Sequence, residues 1–397
     1  MNVFIVDACR TPVGRYRGTL SAARPDDLAA TVLAELVRRN PEIPLGDVED
    51  VWLGATNQAG EDNRNVARMA VLLAGLPLDI GGVTVNRLCG SGLQAINSAH
   101  AQLSAGNGEI SIAGGVESMT RAPFVMPKPD SAFPREQRVF DTTIGWRLVN
   151  PQMPEEHTLS MGETAEVLAR EYEIERGAQD EFALRSHQRA VAAQAAGMFS
   201  DELIPVTVRS GKTDHVVSVD EGPRSDATLE ALAKLPAVFV ADGTVTAGNS
   251  SPLNDGAAAC ILATEDAVSR LHLRPLARIV ATATAGVEPR RMGIGPVPAM
   301  HKALQRAGWS LDELELVELN EAFAAQSLAV LQELPVKDDR VNPLGGAIAL
   351  GHPIGCSGAR IMTTLVHQLK RRPAGTRAAA TMCIGVGQGI ATLVERA

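Results

Sequence analysis

Two thiols and one imidazole stand in glycine-rich turns of this 397-residue chain, and they are the side chains best suited to covalent chemistry. Cys89 lies in Asn86-Arg87-Leu88-Cys89-Gly90-Ser91-Gly92. Val83, Val85 and Leu88 suit a buried strand, the glycines a sharp turn, and Leu93, Ile96 and Leu103 one face of a helix. A cysteine just before a helix meets unpaired N–H groups and a partial positive charge, which favour thiolate over thiol, so Cys89 is a candidate nucleophile. The same turn also suits a small buried cysteine between packing glycines, and taken alone it leaves both readings open.

His352 occupies a comparable turn, Gly351-His352-Pro353-Ile354-Gly355-Cys356-Ser357-Gly358, ahead of another helix. Among low-bulk neighbours it is accessible as a general base, or it is a turn histidine bonded to backbone. Cys383, in Met382-Cys383-Ile384-Gly385-Val386-Gly387-Gln388-Gly389, is a second thiol where three glycines let backbone N–H groups approach a ligand. One shared site explains three such turns more simply than three separate packing accidents. Thr246 to Ala257 is a small-residue loop able to follow a ligand's length, while no G-x-x-x-x-G-K-S/T or G-x-G-x-x-G pattern supports a nucleoside triphosphate or dinucleotide site.

The elements that must position these turns alternate strand with helix. Strands are expected at Asn2 to Ala8, Asp50 to Gly54, Ile110 to Gly115, Ala258 to Ala263, Leu276 to Ala285 and Leu316 to Leu319. Helices are expected at Pro25 to Arg39, Asn63 to Leu73 (with Val66, Met69, Ala70 and Leu73 on one side), Leu93 to Ser104 and Pro298 to Ala307. This is an α/β layered pattern, and the second half repeats the grammar of the first, with Asn320 falling where Cys89 falls earlier. From Thr120 to about Ser250 the pattern degrades into an excursion with helical stretches at Gly162 to Glu173 and Arg176 to Gly197 and a polar tract around Ser210 to Ser225. Such segments are often lids or binding loops. The expected organisation is therefore an N-terminal half (1–119), an inserted loop domain (120–250) and a C-terminal half (251–397).

Composition narrows the partners. A net charge of −9, a pI near 5.5, no block of basic residues and 3% aromatic content argue against nucleic acid or an anionic membrane surface. The five cysteines, Cys9, Cys89, Cys260, Cys356 and Cys383, are odd in number and include no C-x-x-C pair, so neither a disulfide framework nor a metal site is expected. The N-terminus lacks the pattern of a signal peptide and no apolar run approaches the ~18 residues of a membrane span, which together point to a cytoplasmic protein.

Taken together, the residues resemble the thiolase family of acetyl-CoA acetyltransferases and 3-oxoacyl-CoA thiolases along essentially the whole chain. The resemblance rests on the motif around Cys89, on Gly114-Gly115-Val116-Glu117-Ser118-Met119, on Gly248-Asn249-Ser250-Ser251, on Asn320-Glu321-Ala322-Phe323, and on the motifs around His352 and Cys383. It implies a duplicated fold layered α-β-α-β-α with a long inserted loop domain. It also implies that Cys89 accepts the acyl group, His352 activates it, Cys383 is the acid and base at the substrate's α-carbon, and Asn320 holds a water. One oxyanion hole would be the N–H groups of Cys89 and Gly385, the other His352 with that water. Coenzyme A would be a substrate rather than a resident cofactor, met by Met161, Arg224, Phe239, Ala247 and Ser251, and the assembly a homodimer or homotetramer.

Phe140 to Arg147 and Gly60 to Arg68 resemble the 3-oxoadipyl-CoA thiolase branch, for which Arg147, Arg64 or Arg68 could meet a substrate carboxylate; Ser160, where biosynthetic acetoacetyl-CoA members carry histidine, departs from that rival branch. A decarboxylating 3-oxoacyl-carrier-protein synthase resembles a Cys-His-His or Cys-His-Asn set, which the second thiol argues against, and a non-catalytic lipid carrier would need no intact nucleophile.

The division of labour between the thiols is open to direct test. Cys89→Ser is expected to abolish turnover of acetoacetyl-CoA or 3-oxoadipyl-CoA with CoA, whereas Cys383→Ser loses carbon–carbon cleavage yet still takes up radiolabelled acyl group on Cys89. Absence of label in the second variant would contradict the split.

Overall fold

The computed structural model describes residues 1–211 and 213–397. The chain opens on β1 (Val3–Arg10), then α1 (Pro25–Arg39), whose proline sits in the first turn with Asp26 and Asp27 while Arg38 and Arg39 close the last, charges matched to the helix dipole. β2 (Val48–Gly54), α2 (Val66–Leu73), β3 (Val83–Val85), α3 (Ser91–Ser104) and β4 (Ile110–Ser118) follow. An excursion carries α4 (Met161–Glu171) and α5 (Arg176–Ala195). The second run is β5 (Asn254–Thr264), β6 (Ala277–Gly286), α6 (Pro296–Ala307), β7 (Leu316–Leu319), α7 (Ala324–Glu333), α8 (Ile354–Leu369), β8 (Arg377–Ile384) and β9 (Gln388–Arg396). Among the described residues no helix is long and apolar enough to cross a membrane.

The strands form one ten-stranded sheet in the order β7-β8-β9-β6-β1-β5-β4-β2-β3, with the two-residue strand Gly14–Arg15 beside β5. Its halves meet where Val3 to Ile5 pair with Ala277 to Ile279. Alternation along β5 shows why the strands read as unbroken apolar runs: Ala257, Ala259, Ile261 and Ala263 face an outer core with α1 and α2, whereas Ala258, Cys260 and Leu262 face a central core with α3 and α8. In the other half Ala378, Ala380, Met382 and Ile384 of β8 join that central core, and Ala379 faces a third core with α6 and α7. The result is the layered α-β-α-β-α architecture.

Topology revises the internal repeat. In each half two antiparallel pairs (β1·β5 with β5·β4, and β6·β9 with β9·β8) are followed by a parallel one, β4·β2 and β8·β7. β7 therefore corresponds to β2, and α8 to α3. The partner of Cys89 by position is His352, just before α8, and not Asn320, which follows β7 as Ala55 follows β2. The strand–turn–helix grammar around Asn320 is real, but it belongs to the earlier unit of the repeat. β5, assigned to the C-terminal half by a boundary at 251, lies between β1 and β4 of the N-terminal half, because the excursion is an insertion between adjacent strands: Asp255 Oδ1 accepts from Ser118 Oγ at 3.1 Å and Thr120 N at 2.9 Å, tying its two ends together.

Two further expectations change. The buried side of α2 is Val66, Ala67, Ala70 and Val71, while Leu73 is 54% exposed. The polar tract begins with an antiparallel hairpin, Val206–Ser210 with Thr213–Val217, whose outward polar residues hid the strand pattern; Lys212 within it lies outside the described residues.

The contact that fixes the centre is between α3 and α8. A Cβ on Gly358 would stand 2.2 Å from Leu93 N, and one on Gly92 would stand 2.7 Å from Ala359 N, so both glycines are there to let two helix backbones touch. Gly358→Ala is expected to lower stability by roughly 1–3 kcal/mol, since neither backbone can retreat inside a packed layer. Gly177→Ala, an exposed glycine early in α5 whose Cβ would meet nothing within 4 Å, is expected to stabilise by up to about 1 kcal/mol. Chemical-denaturation midpoints of the two variants should move in opposite directions.

Candidate functional site

The motif around Cys89 is a set of constraints on one turn. Asn86 Oδ1 accepts from Leu88 N at 2.9 Å, and Leu88 holds a left-handed φ of +47°. Ser91 Oγ accepts from Arg87 N at 2.9 Å and donates to Leu88 O at 2.6 Å, closing the turn from its helical side. Arg87 donates to Gln94 of α3 and to Gln388 of β9, both at 2.8 Å, so the turn is anchored to both halves of the molecule. A Cβ on Gly90 would meet Ile384 Cδ1 at 2.5 Å. Cys89, half-buried, is left pointing into a cavity.

His352 is held as firmly. Its N–H donates to Asn254 Oδ1 at 2.9 Å, and its Nδ1 lies 2.6 Å from Ser357 Oγ, one turn into α8. Pro353 O lies 3.1 Å from the Ser357 hydroxyl and can take its proton; with that assignment Nδ1–H is the donor in the short bond and Nε2 carries the free lone pair. Glu117 fastens the loops beneath. It accepts from Thr56 N at 2.9 Å, Thr56 Oγ1 at 2.7 Å, Asn57 N at 3.2 Å and Gly355 N at 2.9 Å, joining the end of β2 to the start of α8. Burial raises its pKa, and these donors oppose the rise.

Cys383 is buried near the end of β8, and the Gly385-Val386-Gly387 turn leads into β9, where Cys383 pairs with Gly389. Val386 stands at φ +59°, a conformation that a β-branched residue takes only when its surroundings impose it. The turn brings the Gly385 N–H to Cys89, where it and Cys89's own N–H favour the thiolate.

Electrostatics correct one sequence expectation. A helix N-terminus favours an anion by ~0.3–1 kcal/mol. Burial outweighs it, pushing the Cys89 thiol from 9.0 up to about 11, a net disfavouring of thiolate by about 3 kcal/mol. Cys383 is also raised, by burial and by the neighbouring Cys89. Burial, with Arg360 assisting, lowers His352 from 6.5 to about 4. The resting site thus holds two thiols and a neutral imidazole.

These groups share a cavity of about 710 Å³. Cys89, His352, Cys383, Gly385, Met161, Phe239 and Ser251 all line it; Asn320, Arg224 and Ala247 do not. Asn320 is fully buried, its N–H bonded to Thr381 O at 3.0 Å, and both polar atoms of its side chain lack partners among the described residues, while its neighbours Ala322 and Phe323 form cavity wall. Arg224 and Ala247 are exposed. Phe239 stands edge-on to Phe323 with centroids 6.1 Å apart, and lies where a Cβ on Gly162 would strike its ring at 2.1 Å. Ser160 also lines the cavity and caps α4 with Glu163.

Sequence reasoning missed Ser357, five residues after His352 in the same motif, which an i, i+4 bond to Pro353 O would have suggested. It singled out Phe140 to Arg147, with Arg147 as a candidate on charge, but nothing in the sequence placed Thr142 to Leu148 in the cavity wall, and it missed Met292, which carried no signal.

Residues 3–266 match the family model for the thiolase N-terminal domain and residues 273–396 that for the thiolase C-terminal domain. A beta-ketoadipyl-CoA thiolase of Pseudomonas aeruginosa is 57% identical over 397 residues, 99% of either chain. A 3-oxoadipyl-CoA/3-oxo-5,6-dehydrosuberyl-CoA thiolase of Escherichia coli is also 57% identical over 397 residues and 99% of either chain. The crystal structure of an acetyl-CoA acetyltransferase from Bacillus anthracis matches with a TM-score of 0.94 at 43% identity, covering 100% of this chain and 99% of that one. Both halves of the sheet, the cavity between them and the two matched models lead to one conclusion: the chain belongs to the thiolase family, acyltransferases that use coenzyme A.

Proposed function

We propose that this thiolase cleaves 3-oxoadipyl-CoA with CoA to acetyl-CoA and succinyl-CoA, with Cys89, His352 and Cys383 as the reacting side chains. The observation that carries the chemistry is that two thiols and a neutral imidazole with a free Nε2 line one cavity. The names of the 57%-identical relatives support the substrate.

Because burial leaves little preformed thiolate, proton transfer accompanies attack: His352 Nε2 takes the Cys89 proton as Sγ bonds to the C3 carbonyl carbon. The N–H groups of Cys89 and Gly385 stabilise the oxyanion that forms there. The C2–C3 bond then breaks, leaving the acyl group on Cys89. The electron pair departs toward the thioester, whose oxygen is met by the protonated Nε2–H of His352 and a water held by Asn320, the buried amide with two free polar atoms. The Cys383 thiol delivers its proton to C2, completing acetyl-CoA. In the second half-reaction the Cys383 thiolate takes the proton of incoming CoA, whose sulfur attacks the acyl-Cys89 carbonyl, and His352 returns its proton to the departing Cys89 sulfur. Atoms and charge balance over the cycle, and the kinetics are ping-pong.

Met161, Phe239 and Ser251 would flank the pantetheine, while the exposed Arg224 and Ala247 suit the polar nucleotide end. A homo-oligomer in the cytoplasm completes this reading, which five free cysteines support. The second reading, a biosynthetic acetoacetyl-CoA thiolase, draws on the 43%-identical acetyl-CoA acetyltransferase.

The ratio of kcat/KM for 3-oxoadipyl-CoA to that for acetoacetyl-CoA decides between them: a value well above one is expected, and one below unity selects the biosynthetic reading. The acid limb of kcat/KM is expected near pH 4 rather than near 6.5, because His352 acts as a base only when neutral and burial keeps it neutral down to about 4. A limb centred at 6.5 would show that burial does not lower His352 in the working enzyme.

A further inference from the structure

The cavity wall is nearly free of charge. Among its lining residues Arg147 is the single charged side chain, with no aspartate, glutamate or lysine beside it. Arg147 is half-buried, and among the described residues no hydrogen bond or ion pair engages its guanidinium. A partly desolvated cation facing an apolar cavity without an anion is unfavourable unless a ligand supplies one.

Its placement is fixed by its neighbours. Gly145 at φ +82° and Leu148 at φ +53° bracket the turn. Trp146 donates from Nε1 to Leu159 O at 3.0 Å, and its ring lies 3.2 Å from where a Cβ of Gly385 would be, directly over the acyl-accepting end of the cavity. Arg147 follows in the same turn. The other two arginines that charge alone suggested are elsewhere. Arg68 donates to the carbonyl oxygens of Ile80 and Leu78, and Arg64 is exposed and outside the lining.

We infer that Arg147 binds the terminal carboxylate of the acyl chain and makes the cavity selective for 3-oxoacyl-CoA esters of dicarboxylic acids. A guanidinium grips a carboxylate through two parallel N–H···O bonds, and in this wall the pair forms away from bulk water. The inference rests on the substrate proposed above. CoA phosphates share the chemistry of a carboxylate, so the test must separate the two sources.

3-Oxohexanoyl-CoA is the right comparison, having the same chain length, the same CoA and a methyl group in place of the carboxylate. In the unaltered enzyme kcat/KM should favour 3-oxoadipyl-CoA over it. Arg147→Gln is expected to reduce that ratio by about 10- to 100-fold, the loss typical of a charge-assisted hydrogen bond, and Arg147→Lys to leave an intermediate ratio. A ratio cancels any change in the amount of folded enzyme. Equal losses on both substrates would assign Arg147 to a CoA phosphate and overturn the inference, as would a ratio unchanged by Arg147→Gln. An unaltered enzyme with a ratio near one would instead sink the dicarboxylic substrate, and the role of Arg147 with it.

Discussion

Two helices touching backbone to backbone are the constraint on which the rest depends. α3 and α8 lie in the middle layer, meet at Gly92 and Gly358, and are covered on both sides by sheet. Each is preceded by a turn whose side chain lines the cavity, Cys89 before α3 and His352 before α8. Because the repeat is twofold in topology, bringing the two helices together at the same level brings the two turns together as well. The thiol and the imidazole thus line one cavity as a consequence of packing, although 263 positions apart in sequence. The third group arrives from β8, whose turn is pinned against the same middle layer by Ile384 under Gly90.

That position in the middle of five layers also sets the chemistry. Burial raises both thiols and lowers the imidazole, so every member of the site is most comfortable uncharged. A preformed thiolate–imidazolium pair would be the alternative, but with the two N–H groups already counted the thiolate of Cys89 is still disfavoured by about 3 kcal/mol, more than a weak helix terminus returns. In the proposed mechanism the same N–H groups are of greater use later, when charge develops on the substrate oxygen in a place already shielded from water. The buried Glu117 does not contradict this pattern, since four donors satisfy it and it serves to hold loops rather than to exchange protons.

Much of this was legible in the sequence, and the reasons differ by element. α1 carries its own proline, acids and bases in the right turns, so its limits at Pro25 and Arg39 could be read directly. The glycine turns were legible because a reactive residue in a tight turn constrains its neighbours to particular types. The position of β5 was not legible, since pairing across an insertion of more than a hundred residues leaves no local trace. Nor was the true partner of Cys89 in the repeat, because strand, turn and helix recur twice in each half and periodicity cannot say which recurrence matches which. Phe140 to Arg147 stood out by resemblance, yet its place in the cavity wall was not legible: in irregular backbone the direction of a side chain is decided by tertiary contacts, such as Trp146 to Leu159, and not by a period.

The excursion nevertheless has to be held as rigidly as the layers if it is to shape a cavity, and the means is a buried charge cluster. Arg10 of β1 donates to Glu202 at 2.6 Å and to Asp220 at 2.7 and 2.9 Å, with both acids contributed by the excursion, and Thr364 of α8 donates to Glu202 at 3.1 Å. Arg10 and both acids are buried, so removing Arg10 would leave two buried carboxylates without their cation, at a cost of about 3–5 kcal/mol. The insertion is in this way locked to the strand and the helix that flank the chemistry. Its own turn residues, Ile144 to Leu148, are free of that lock and line the cavity. On the proposed reading reactivity is set by the layered part of the molecule and substrate choice by the insertion, an arrangement in which the acyl pocket can change without disturbing Cys89, His352 or Cys383.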